Sequence, residues 1–166
     1  METRIARTNL DATLQHLFDE EAYLTDITEY GVSWESLVKG KQLPPPQGAR
    51  FDIAFEGKIF GDKINGKVKG VDYLMARGDG KFILALHATI VTDDGAVIAL
   101  QEKGIMVQSP DGNGQLYLTM NFSTAYSNYQ WINGIQVWGV GTSFLSEGEG
   151  RVTISGFVNK FRQLNS

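Results

Sequence analysis

The chain has 166 residues, no cysteine and a formal net charge of −4. This length predicts a single domain whose core is large enough to be stable without cross-links. The missing cysteines exclude disulfide scaffolds, thiolate zinc sites and cysteine nucleophiles, and the acidic balance argues against a general nucleic-acid-binding protein. No segment approaches the roughly 20 apolar residues of a membrane span, and the first residues lack the apolar core of a secretory signal. We therefore expect no membrane span and a cytoplasmic location.

Residues 1–48 are predicted to form a helical arm followed by a proline strap. A second, short helix is predicted at residues 33–38, with Ser33 as its N-cap. Residues 39–48 contain three consecutive prolines, which hold the backbone extended and remove hydrogen-bond donors. The main helix is predicted at residues 8–24, where apolar residues recur at three- and four-residue spacing and acidic or polar residues occupy the other faces. The apolar positions are Leu10, Leu14, Leu17, Phe18 and Ala22, and the polar ones are Asp11, Gln15, Asp19 and Glu20.

Residues 49–166 are predicted to form an antiparallel β-domain. From residue 50 onward the hydrophobic period changes to two, and glycine-containing turns separate the alternating segments. About seven or eight strands follow one another without intervening helices, which favours sequential antiparallel pairing. The clearest predicted strands cover residues 51–56, 68–75, 82–91, 97–107, 116–122, 129–140 and 152–161.

The strand at residues 82–91 decides the predicted architecture, because both of its faces are mostly apolar. A half-exposed sheet would have one polar face. A closed barrel with an apolar interior and a covered exterior explains the pattern, and a two-layer sandwich explains it almost as well. Short sequential turns, as in a meander, favour the barrel. The apolar outer face also leads us to expect a homo-oligomer.

Several motifs resemble those of the bacterial and fungal domain-of-unknown-function family 3237. The resemblance spans roughly residues 48–160 and implies an antiparallel, calycin-like barrel similar to allene oxide cyclase, often assembled as an oligomer. It implies little about chemistry. The motifs that carry it are Gly70-Val71-Asp72-Tyr73-Leu74, Asp79-Gly80, Leu86-His87-Ala88-Thr89-Ile90, Thr92-Asp93-Asp94-Gly95-Ala96, Tyr129-Gln130-Trp131-Ile132-Asn133-Gly134 and Gly139-Val140-Gly141.

Two residues are the candidate acid–base groups. His87 lies in an apolar strand, and a histidine facing a barrel interior can exchange protons near neutral pH; the alternative is a histidine hydrogen-bonded in a core or subunit interface. Asp72 lies between Val71 and Tyr73, and an inward carboxylate would have a raised pKa; the alternative is a turn cap or an ion pair. Glu102 could likewise point inward, but the neighbouring Lys103 favours a position in solvent.

An aromatic set provides the candidate ligand-binding residues, since such side chains build apolar pockets with a few polar groups. Trp131 and Asn133 would share a strand face, together with Tyr129. The set comprises Tyr73, Phe122, Tyr129, Trp131 and Asn133.

No metal site and no cofactor are expected, because two distant histidines cannot form a zinc set and the nucleotide-binding motifs are incomplete. The sequence therefore predicts a barrel that binds a small apolar or aromatic molecule. Three hypotheses remain open. The protein is a cofactor-independent isomerase, cyclase or lyase, a non-catalytic carrier or sensor, or a structural oligomer whose barrel is filled by side chains.

Overall fold

The computed structural model describes residues 14–145 and 150–159, which form a closed antiparallel barrel of eight strands. The strands pair in sequence order and β1 closes the barrel against β8, which confirms the predicted barrel over the sandwich. A short helix, α1 (Trp34–Val38), connects β1 to β2, and a 3₁₀ segment (Ser127–Gly134) connects β6 to β7. The strands are β1 (Leu14–Glu29), β2 (Ala49–Phe60), β3 (Asn65–Ala76), β4 (Phe82–Thr92), β5 (Val97–Gln108), β6 (Gly114–Ser123), β7 (Val137–Phe144) and β8 (Arg151–Asn159).

The predicted N-terminal helix is wrong where the structure describes it, because residues 14–29 form the first barrel strand. Residues 8–13 of that prediction lie outside the described residues, as do residues 160 and 161 of the last predicted strand. The pairing of β1 with β8 shifts its register between His16 and Phe18, so Leu17 and Phe18 are both buried. This bulge breaks the two-residue alternation. Glu20 interrupts the alternation again, because a polar residue occupies an inward position. The apolar residues that remain in this segment then recur at helical spacing.

The predicted strand at residues 129–140 is also wrong in its first half. Residues 127–134 form the 3₁₀ segment, and β7 begins only at Val137. Tyr129 and Trp131 therefore do not share a strand face with Asn133. The predicted short helix at residues 33–38 is confirmed, because the Ser33 hydroxyl accepts a hydrogen bond from the Ser36 backbone N–H at 3.2 Å.

The connections divide the barrel into two ends. The α1 end carries the links β1–β2, β3–β4, β5–β6 and β7–β8, and the 3₁₀ end carries the links β2–β3, β4–β5 and β6–β7. Gln108 at the end of β5 donates a hydrogen bond to the carbonyl of Val38, which attaches α1 to this end of the barrel. No helix in the described part of the chain is long and apolar enough to cross a membrane.

The two halves of the barrel interior are filled differently. The 3₁₀ half is closely packed by fully buried apolar side chains, with Phe18 and Phe122 in an edge-to-face contact at 5.9 Å between ring centroids. At the α1 end, Trp34 covers the barrel and makes edge-to-face contacts with Phe51 and Phe82. Between Trp34 and the packed half the interior holds a cavity. Fully buried residues of the 3₁₀ half include Phe18, Ile59, Ile64, Val68, Ile90, Ile98, Met120, Ile132 and Val137.

Candidate functional site

The cavity in the α1 half is narrow and mainly apolar. It offers about 50 Å³ to the centres of water-sized molecules, several times the roughly 10–15 Å³ that one water needs. Its polar side chains are Glu20, Asp72 and Ser143. Its apolar lining comes from β1, α1, β2, β3, β4, β6, β8 and the residue after β7: Ala22, Leu24, Trp34, Ile53, Phe55, Leu74, Leu86, Leu116, Leu145, Val152 and Ile154.

Asp72 points into the barrel from β3 and is 8% exposed. The β3–β4 ladder is interrupted beside it, because the pairing passes from Asp72–Leu86 directly to Met75–Ile83. In that gap the Ala85 backbone N–H donates a hydrogen bond to Asp72 Oδ1 at 3.0 Å. Burial raises the pKa of Asp72 to about 7, and the Ala85 donor opposes that rise by stabilising the ionised form. Of the two positions considered for this carboxyl group, the structure has the inward one.

Glu20 enters the same cavity from β1 and is 3% exposed. Its Oε2 atom is buried without a hydrogen-bond partner. Burial raises the pKa of Glu20 to about 7. Sequence reasoning missed this residue because it placed Glu20 on the polar face of a helix.

Glu102 lies inside the barrel on β5 and is fully buried, which corrects the position in solvent favoured from the sequence. Both of its carboxyl oxygens lack a hydrogen-bond partner. Burial, together with the charges of Glu20 and Asp72, raises the pKa of Glu102 well above its usual range. The signal was present in the sequence, because strict alternation places Lys103 outward and its neighbour inward.

The three carboxyl groups have no buried cationic neighbour in the described part of the chain. The buried polar or charged residues there are Glu20, Asp72, Thr92, Glu102 and Ser143. An isolated carboxylate in an apolar interior is costly, so such groups remain protonated to a higher pH. Within residues 14–145 and 150–159, no group of three or more acidic or histidine side chains is arranged to hold a metal ion.

The structure separates His87 from Asp72. His87 is on β4 with its side chain exposed on the outer face, so the interior position considered for it is wrong. It contacts Tyr73, which is 41% exposed on the same face, in an edge-to-face arrangement at 5.9 Å between ring centroids. Neither residue lines the interior cavity.

The other predicted ligand-binding residues lie at the 3₁₀ end, away from the cavity. Phe122 packs against Phe18 in the closed half of the interior. Tyr129 donates its hydroxyl hydrogen to Asp94 Oδ1 at 2.8 Å, which ties the 3₁₀ segment to the β4–β5 turn.

Trp131 and Asn133 hold the same end together. The Lys63 ammonium lies 5.3 Å from the centre of the Trp131 ring. Asn133 accepts a hydrogen bond from the Thr124 backbone N–H and donates one to the Thr124 carbonyl, both at 2.8 Å. The structure therefore does not bring the predicted aromatic set together around one cavity.

The arrangement that remains is a pair of carboxyl groups at the wall of an apolar cavity. Burial raises both pKa values to about 7, so near neutral pH each carboxyl group can be protonated or ionised. The cavity wall can therefore supply both an acid and a base. Asp72 has the backbone donor that favours its ionised form, whereas Glu20 Oε2 has no partner. Asp72 is therefore suited to accept a proton and Glu20 to donate one.

Comparison with known sequences gives one family. A family model described as "Protein of unknown function (DUF3237)" matches residues 13–158. A UPF0311 protein of Clostridium acetobutylicum is 32% identical over 116 residues, which cover 61% of this chain and 68% of that protein.

Solved structures share the fold at lower identity. A β-barrel-like protein of Acinetobacter baumannii AYE has a TM-score of 0.72 at 23% identity, covering 89% of this chain and 95% of that one. A protein of unknown function from Clostridium acetobutylicum has a TM-score of 0.73 at 20% identity, covering 94% and 99%. A structure described as an enzyme from Penicillium herquei has a TM-score of 0.61 at 22% identity, covering 95% and 99%. At these identities the likeness concerns the fold.

Proposed function

We propose that this chain, which belongs to the DUF3237 family, is a cofactor-independent acid–base enzyme acting on a small apolar molecule inside its barrel. The observation that carries the proposal is the pair of buried carboxyl groups, Glu20 and Asp72, in the wall of an otherwise apolar cavity. The reaction class is isomerisation, cyclisation or elimination, because each needs only proton transfers. A fold hosts many functions, so the Penicillium herquei enzyme adds only that one protein of this fold is an enzyme.

Each carboxyl group has a distinct part in the proposed proton transfer. Asp72 accepts a proton from a carbon atom of the bound molecule, and the Ala85 N–H stabilises the ionised form that makes this possible. Glu20 donates its proton to the atom on which negative charge develops. Ser143, buried at the same wall, supplies a further hydroxyl group. Water must reprotonate Glu20 and deprotonate Asp72 between turnovers.

His87 and Tyr73 have no part in this proposal, because both lie outside the barrel. Glu102 does not line the cavity. Its protonated carboxyl group is proposed to keep a third negative charge away from the pair.

Hydrogen–deuterium exchange tests the proposal without a known substrate. A panel of small apolar compounds with acidic C–H bonds is incubated with the protein in D₂O, and deuterium incorporation is followed by NMR. Asp72→Asn and Glu20→Gln are expected to slow the exchange by roughly 10²–10⁴-fold, the usual contribution of a general acid or base. The matched controls, Asp52→Asn and Glu56→Gln, change carboxyl groups outside the cavity. They are expected to leave the exchange rate unchanged.

A second pair of variants tests the location. Ala22 lines the cavity, so Ala22→Leu fills it, whereas Ala99→Leu makes the same change on the exposed outer face. Ligand binding, measured by saturation-transfer NMR, is expected to disappear only in Ala22→Leu. Binding to the cavity without any exchange would contradict the enzyme and support the carrier hypothesis instead.

We also propose that the protein assembles as a homo-oligomer through the outer face of β3–β7. The support is a row of paired apolar side chains that crosses five neighbouring strands and is partly or largely exposed. Contiguous exposed apolar surface of this kind is typical of protein–protein contacts. The row consists of Met75, Ile83, Ile105, Tyr117 and Val140.

Light scattering tests the assembly. Tyr117→Arg places a charge in the middle of the row and is expected to lower the mass in solution to that of the monomer. Tyr23→Arg makes the same change at a similarly exposed tyrosine on β1, outside the row, and is the control. A monomeric parent protein at high concentration would refute assembly through this face.

A further inference from the structure

A groove beside α1 lies next to the cavity that holds the carboxyl pair. The groove has a volume of about 310 Å³ and is lined by Leu24, Ile27, Trp34, Val38 and Leu145, with Glu35, Lys39 and Gly150 at its side. Leu24, Trp34 and Leu145 line both the groove and the cavity. These three side chains therefore lie between the two spaces, at the α1 end of the barrel.

The two spaces differ sharply in size. The inner cavity offers about 50 Å³, whereas a benzene molecule occupies an engineered protein cavity of about 150 Å³. An aromatic ring therefore does not fit whole beside Glu20 and Asp72. The outer groove, at about 310 Å³, falls in the range of small-molecule sites, roughly 300–1,000 Å³. A molecule that uses both spaces has a narrow reacting end and a longer body.

The walls of the groove set the polarity of that body. Its side chains shared with the cavity are apolar, and the two charged residues that line it in the described part of the chain form an ion pair with each other, with Lys39 Nζ and Glu35 Oε1 2.5 Å apart. Both members of this pair are exposed to solvent. The groove therefore favours an apolar body over a charged one.

The inner end sets the chemistry of the reacting group. It presents two carboxyl groups and the Ser143 hydroxyl, with a third carboxyl group buried nearby and no buried cation in the described part of the chain. An anionic group would be repelled there. An ammonium group donates hydrogen bonds and accepts none, so it offers no acceptor to the hydrogen of a protonated carboxyl group. A carbonyl group next to a C–H bond matches one protonated and one ionised carboxyl group directly.

From this geometry we infer that the substrate is an elongated, uncharged carbonyl compound that enters head first past Trp34, with its apolar body lying along α1. The inference rests on the proposed function and adds the class of substrate. In the reaction, Asp72 removes the proton from the carbon next to the carbonyl, and the C–H electron pair forms the C=C bond of an enol. Glu20 gives its proton to the carbonyl oxygen, so the enol is neutral. Return of a proton to carbon reverses both transfers.

Linear methyl ketones of increasing length are suitable probes. Their affinity, measured by ligand-observed NMR titration, is expected to rise about fourfold with each added methylene until the groove is filled, in line with the burial of one methylene group. Alkyl carboxylates and alkylammonium ions of the same length are expected to bind at least tenfold more weakly. Tighter binding of the ammonium series would overturn the uncharged head, and affinity independent of length would overturn the role of the groove.

A matched pair of variants places the body of the ligand. Val38 lines the groove and Val97 lies on the outer face of β5, so Val38→Asp and Val97→Asp introduce the same charge inside and outside the groove. Val38→Asp is expected to lower the affinity for the longest ketones at least tenfold and to change that for the shortest ones little. Val97→Asp is expected to change neither affinity. Equal losses for short and long ketones, or none, would overturn the inference.

The outcomes also separate this inference from the proposed function. If long ketones bind through the groove but exchange no deuterium, acid–base catalysis is refuted and the binding mode stands. If compounds of another shape exchange deuterium in a manner that needs Asp72 and Glu20, the enzyme stands and the inferred substrate class is refuted.

Discussion

Replacing Asp72 with asparagine is expected to make the protein more stable at neutral and alkaline pH, although it removes a charged group. The asparagine side chain retains an oxygen that can accept the Ala85 N–H. What changes is the proton equilibrium of the side chain. In the folded protein burial raises the pKa of Asp72 from 3.8 to about 7, whereas in the unfolded chain it has its ordinary value.

The sign of the pH dependence follows from this difference. Because the pKa of Asp72 is higher in the folded state, the folded state binds the proton more tightly than the unfolded state does. As the pH rises and the unfolded state loses this proton, the free energy of unfolding decreases. The contribution of Asp72 to stability is complete below pH 3.8 and is lost as the pH rises to about 7. A shift of about three units, at about 1.4 kcal/mol per unit, amounts to roughly 4 kcal/mol. The Asp72→Asn variant has no titratable group at this position, so its stability does not decrease in this way.

Urea unfolding at a series of pH values measures the effect. The free energy of unfolding of Asp72→Asn minus that of the parent is expected to increase by roughly 4 kcal/mol between about pH 4 and pH 8. Asp52→Asn is the control, because hydrogen bonds from Arg50 and Tyr30 lower the pKa of Asp52 below its ordinary value of 3.8, so its difference from the parent is expected to stay nearly flat over this range. A difference for Asp72→Asn that stays flat, or falls, over this range would refute the burial argument.

Three further predictions concern the rest of the barrel. Glu102→Gln is expected to match the parent in urea unfolding at acidic pH and to exceed it at alkaline pH, because burial and the neighbouring carboxyl groups raise the pKa of Glu102; equal stability at both pH values would contradict this. Tyr129→Phe removes the hydrogen bond to Asp94 and is expected to cost about 1 kcal/mol in the same assay. Gly57→Ala would place a Cβ atom 2.1 Å from the Glu21 carbonyl oxygen, and thermal unfolding is expected to show a loss of about 1–3 kcal/mol.

The sequence predicted the sheet correctly where alternation is uninterrupted. Every second residue is buried along β4 and along the first half of β5, and the glycines Gly80 and Gly95 in the flanking hairpin turns have a positive φ. These features are local, because strand geometry and turn conformation depend on neighbouring residues. The predicted strand bounds at 82–91 and 97–107 therefore differ from the structure by only one residue.

The errors occur where the fold uses a residue against its local pattern. A bulge at Leu17 and an inward Glu20 made β1 resemble a helix. The aromatic segment around Trp131 contains residues with high strand propensity. In the structure it forms a 3₁₀ segment at one end of the closed barrel. Local propensity is a weak guide when tertiary contacts decide the conformation.

By itself, then, the sequence determined a mainly β chain closed by short sequential turns, and it singled out Asp72 as a carboxyl group in an apolar strand. Only the tertiary structure decided which groups meet that carboxyl. Closing the sheet brings β1 beside β8 and points Glu20 and Glu102 into the same interior as Asp72, while His87, one strand away, points outward. The physical reason is that the side a strand residue faces follows from alternation, but its neighbours across the barrel follow from closure and register.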